Sequence, residues 1–179
     1  LYILSDYATT MMDILWNNTQ KFDGCLYGLE ALGALRVEKG HVTGAELDGR
    51  TTIDDVGLGK MASNKKSYIG SAMRKRGVLS SEEREMLVGF FPVNKNDTFD
   101  AGTIICKKNN IKGFGIGRVT SVTHSPELGH WIGMGFIKGG LEKWKNDTVM
   151  GCDPIRNKEM EIKVVSQHMV DPEGKRMYA

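Results

Sequence analysis

The chain has 179 residues, 40% of them hydrophobic and 26% charged, with a formal net charge of +2. That is enough apolar content for a core in one or two domains, and too balanced a charge for the footprint of a nucleic-acid or membrane-surface binder. Cys25, Cys106 and Cys152, like His41, His124, His130 and His168, are scattered. Their spacing argues against a disulfide framework and a metal site, and points to a reduced, cytoplasmic setting. No signal peptide or membrane-spanning run is visible.

Leu1–Leu4 reads as a strand already under way, and the first residue is not Met. An isolated strand cannot satisfy its ladder, so the sequence reads as the C-terminal part of something longer. Ser5 or Asp6 can cap a helix running to about Asn18, with Met11, Met12, Ile14, Leu15 and Trp16 on its apolar face. A second short helix, from about Leu26 to Gly33, leads into an extended Ala34 to Glu38. Glycine-punctuated loops follow, then a helix over Ser67 to Arg76 with Gly77 as its stop. From Glu85 the pattern changes to short β-branched and aromatic runs at 86–91, 103–106, 115–120, 131–137 and 161–165. Gly, Asn, Asp and Lys turns separate them, which predicts an antiparallel barrel or sandwich. The fold class is therefore α+β: an α+β portion over residues 1–80 and a small antiparallel β-barrel over residues 81–179.

Signatures of chemistry are sparse. There is no Walker loop and no GxSxG elbow. Gly113-Phe114-Gly115-Ile116-Gly117 reads as a strand with close backbone approach. Ser125-Pro126 reads as the start of a turn, and Asp54-Asp55 as loop or cap residues, because sequence neighbours do not share a face. The three cysteines read as small buried hydrophobes. Glu38 stands out, as an acid at the inner end of the run Leu29, Leu32, Leu35, Val37. Such a carboxylate needs partners. They are either Arg36 or Lys39 in an ion pair, or a ligand offering two adjacent N–H donors, such as the N3–H and 2-amino group of a pterin.

At this point five motifs in one order carry a resemblance. They are YGLEALGALRVEKG (27–40), DGRTTIDDVGLG (48–59), KSYIG (66–70), VTS with SPELG (119–121, 125–129) and DPEG (171–174). Together they resemble the α subunits of heterotetrameric sarcosine oxidases, whose C-terminal half is similar to the aminomethyltransferase (T-protein) of the glycine cleavage system. The resemblance implies that residues 1–80 are the closing half of a folate-binding, aminomethyltransferase-like domain, followed by the C-terminal barrel. It implies tetrahydrofolate as cofactor, with Glu38 at the pterin and Lys66 near the folate's tail. It also implies that a one-carbon unit from oxidative demethylation of sarcosine passes to tetrahydrofolate to give 5,10-methylenetetrahydrofolate. The implied partners are the other sarcosine oxidase subunits, with FAD, FMN and NAD bound only elsewhere in the complex. No catalytic residue is assigned, and the chain alone is expected to be inactive. A stand-alone aminomethyltransferase or related demethylase is the alternative enzyme, and an assembly module without folate binding the alternative outside enzymes.

Overall fold

The structure, a computed structural model, describes residues 1–178. The chain packs as two units, residues 1–32 and the residues from Gly33 onward. In the first, a 3-10 turn over Ser5–Tyr7 leads into helix α1 (Ala8–Thr19), which a second 3-10 turn, Gln20–Phe22, extends. Leu1–Leu4 forms no strand, and no side chain caps the start of α1. None of the α1 residues is buried.

Helix α2 spans Leu29–Lys39 without interruption. The expected change to an extended chain at Ala34 does not occur. Leu, Glu, Ala, Arg and Lys dominate this stretch, and all are strong helix formers. The helix stops at Gly40, whose φ of +79° is open to glycine at little cost. Gly40 N–H donates to Val37 C=O (3.2 Å) and His41 N–H to Arg36 C=O (2.8 Å), a Schellman closure. The next two carbonyls are met by the C-terminal segment. Met169 and Val170 N–H both donate to Glu38 C=O, and His168 Nδ1 bonds Lys39 C=O at 3.0 Å. All four final carbonyls of α2 thus have partners.

Helix α3 is only Ser71–Arg74, shorter than the expected 67–76, because Gly70 sits at φ +92° and breaks the helix on its N-terminal side. Beyond it six antiparallel strands close a barrel in the order β1-β4-β3-β2-β5-β6, with β6 pairing back to β1. They are β1 (Glu85–Pro92), β2 (Ile104–Cys106), β3 (Gly117–Ser125), β4 (His130–Lys138), β5 (Thr148–Asp153) and β6 (Lys158–Val165), with helix α4 (Gly140–Trp144) between β4 and β5. The barrel resolves the barrel-or-sandwich expectation. Strand β5 was not legible in the sequence. Its inward positions are Val149, Gly151 and Asp153, so the apolar alternation is nearly absent.

Two apolar clusters explain why β1 and β4 are hydrophobic almost throughout. Every strand contributes to the barrel interior, through Val88, Phe90, Ile105, Val119, Ile137, Val149, Met160, Ile162 and Val164. The alternate residues Leu87, Ile132, Met134 and Phe136 face outward and pack with Val37 of α2 and Val56 of the loop after it. Where β3 begins, a Cβ on Gly117 would stand 2.2 Å from Phe136 O, so the close approach expected of the 113–117 glycines is found at its strand end. Among the described residues no helix is long and apolar enough to cross a membrane.

Gly40 combines two backbone demands. A Cβ there would lie 2.6 Å from Gln167 O, on top of the positive φ. Gly40→Ala is expected to lower stability by about 1–3 kcal/mol in urea unfolding, with the loss falling on the α2 end and the 166–170 segment in hydrogen exchange.

Candidate functional site

Glu38 lies in the last turn of α2 and is 5% exposed. Neither expected ion-pair partner reaches it. Arg36 turns to Glu46 and Ser121, and Lys39 pairs with Asp171. The reason is helical geometry: residues two apart, or adjacent, on a helix do not face one another. The Glu38 carboxylate goes instead to the turn between β3 and β4. Its Oε1 accepts a hydrogen bond from Ser125 Oγ and one from Glu127 N–H at 3.3 Å. Ser125 Oγ in turn accepts from Leu128 N–H at 3.0 Å, so Ser125-Pro126 does open a turn, and its hydroxyl is spent on holding it. Oε1 has two acceptor positions and both are used. Only Oε2 is left without a recorded partner among the described residues.

The second acid of this joint is Glu46, which the sequence reading missed. It is 1% exposed and gathers five donors. Oε1 accepts from Thr120 Oγ1 (2.7 Å) and Ser121 Oγ. Oε2 accepts from Thr43 N–H (2.9 Å), Thr43 Oγ1 (3.2 Å) and Arg36 Nη1 (3.2 Å), while Arg36 Nη2 donates to Ser121 Oγ at 2.7 Å. Consecutive strand residues normally face opposite ways. Here the register of β3 against β4 shifts between Val119 and Ser121, and this bulge lets both hydroxyls reach one carboxylate. The available sequence signal was Thr43-x-x-Glu46, a capping-box spacing.

The motif DGRTTIDD builds a third set of contacts. Thr52 N–H donates to Asp55 Oδ2 and Asp55 N–H to Thr52 Oγ1, a reciprocal cap that agrees with the loop-or-cap reading. Each acid also takes its own arginine in a forked pair. Arg74 bonds Asp54 at 2.5 and 2.6 Å, and Arg84 bonds Asp55 through Nε at 2.7 Å and through Nη2. The two carboxylates do not share a proton-transfer site.

Lys66 is exposed and lines an open groove of about 1080 Å³. Lys65, Ser67, Tyr68 and Lys75 line it too, together with Glu82, Glu142 and the Lys143–Glu83 pair. Lys65, Lys66 and Lys75 have no acidic partner among the described residues. Glu38 and Lys66 are not brought together. Lys66 shares its groove with Met86 and Gly139, at the end of β4, whereas Glu38 holds the turn that precedes β4. Glu38 is not among the residues that line the groove. Of the cysteines, Cys106 is buried and Cys152 half-buried, its thiol pushed up to about 11 by burial and by the neighbouring Cys106. Cys25 is exposed, against expectation.

Burial works to raise the Glu46 pKa, but hydrogen bonds from Ser121, Thr120 and Thr43, with the Arg36 charge, hold it below its ordinary 4.5. Burial likewise opposes ionisation of Asp55, and Arg84 and Thr52 overcome it, holding that carboxyl below 3.8. Both folded values are depressed, so the unfolded chain binds more protons in acid. The stability these groups contribute is complete above their ordinary values and is lost as pH falls through the folded ones. Urea midpoints should therefore fall steeply below about pH 4.5, and Glu46→Gln should flatten that dependence. Glu46→Ala should cost on the order of 3 kcal/mol at neutral pH, because it leaves the Arg36 charge unpaired.

Residues 86–171 match the glycine cleavage T-protein C-terminal barrel domain. Sarcosine oxidase subunit alpha of Rhizobium meliloti (strain 1021) is 29% identical over 99% of this chain, which spans 18% of that protein. An aminomethyltransferase of Bacteroides thetaiotaomicron is 29% identical over 92% of the chain and 44% of its own length. The crystal structure of the glycine cleavage system aminomethyltransferase T from Bartonella henselae superposes with a TM-score of 0.74 at 22% identity, covering 92% of this chain and 44% of that one. The chain thus spans about a fifth of the sarcosine oxidase subunit and under half of the transferases.

Proposed function

We propose, from the match of residues 86–171 to the glycine cleavage T-protein C-terminal barrel domain and the similarity of nearly the whole chain to sarcosine oxidase subunit alpha, that it is the C-terminal, tetrahydrofolate-binding portion of such a subunit. In this reading residues 1–80 close a folate-binding domain and residues 81–179 are the barrel beside it. The one-carbon unit released by oxidative demethylation of sarcosine passes to tetrahydrofolate, giving 5,10-methylenetetrahydrofolate. The single observation that carries the proposal is the similarity across 99% of the chain to an oxidase subunit. The partners are the remaining oxidase subunits, and FAD, FMN and NAD belong to other parts of that complex. The setting is the cytoplasm.

Lys66 enters the proposal as a cation for the folate's carboxylate tail, in a groove where Lys65 and Lys75 add like charge. Glu38 enters it more narrowly than a forked acceptor of two pterin N–H groups. Its Oε1 is taken by the β3–β4 turn, so a ligand donor meets Oε2 alone. Glu38 does not line the groove that holds Lys66, so each residue has its own test.

Tetrahydrofolate titrated calorimetrically into the native polypeptide that carries this chain should bind saturably, and absence of binding there sinks the folate reading. Lys66→Ala should weaken binding about two- to fivefold, as expected for one exposed charge pair. Glu38→Gln is the discriminating variant, because the amide keeps an acceptor for Ser125 while its NH₂ can replace Oε2 with a donor. An affinity loss of about tenfold or more with a nearly unchanged unfolding midpoint supports direct contact, and unchanged affinity removes Glu38 from the ligand site. The match to aminomethyltransferases favours one second reading, a folate-dependent transferase. Formation of 5,10-methylenetetrahydrofolate that requires sarcosine supports the oxidase, and formation from a glycine-derived donor without sarcosine supports the transferase.

A further inference from the structure

We draw no further inference here: the strongest candidate, the uncovered apolar face of α1 with the small cavity formed by Ile3, Leu4, Tyr7, Thr10, Met11 and Ile14, carries nothing because nothing in the structure shows what covers it.

Discussion

The docking of two buried carboxylates onto strand β3 is the interaction on which the rest of the second unit depends. Glu46 meets the bulge at Thr120 and Ser121, and Glu38 meets the turn at Ser125 and Glu127. Between them they fix the end of α2 at two points along one strand. Carboxylates this deeply buried are tolerated only when their lone pairs are filled. Glu46 achieves that with five donors, one of them charged, and no buried side-chain polar atom among the described residues is left without a partner. The apolar cluster of Val37, Val56, Leu87, Ile132, Met134 and Phe136 forms beneath this joint. Dispersion and burial supply its bulk stabilisation, while the acids set which residues face which.

This arrangement gives several motifs a common physical sense. LRVEKG supplies Arg36, Glu38, Lys39 and the Gly40 stop, VTS supplies two hydroxyls for Glu46, and SPELG supplies the turn for Glu38. DPEG supplies Asp171 to Lys39, and the segment just before it closes the α2 carbonyls. Residues far apart in sequence are thus read together because they meet at one helix end. The groove with Lys65, Lys66 and Lys75 has neither Glu38 nor Glu46 in its lining and is built on the Asp54–Arg74 and Asp55–Arg84 pairs. A groove whose Lys65, Lys66 and Lys75 lack acidic partners among the described residues is a different kind of feature from a joint of buried carboxylates held by hydrogen bonds.

The sequence by itself determined much of this. The change at Glu85, the short β-branched and aromatic runs and the turn at Ser125-Pro126 made the barrel legible, because such runs bounded by turn residues suit a pleated, buried strand. The loss of that pattern in β5, where glycine and aspartate occupy inward positions, hid one strand. Local rules also marked Glu38 as an acid that needs partners, without saying which. Only the tertiary structure decided them: helical geometry turned Arg36 and Lys39 away, and a turn more than eighty residues later brought the Ser125 hydroxyl and the Glu127 N–H that this buried carboxylate requires. Hydrogen-bond satisfaction in a core is a property of packed neighbours rather than of sequence neighbours, which is why the strands could be read in advance and the joint could not.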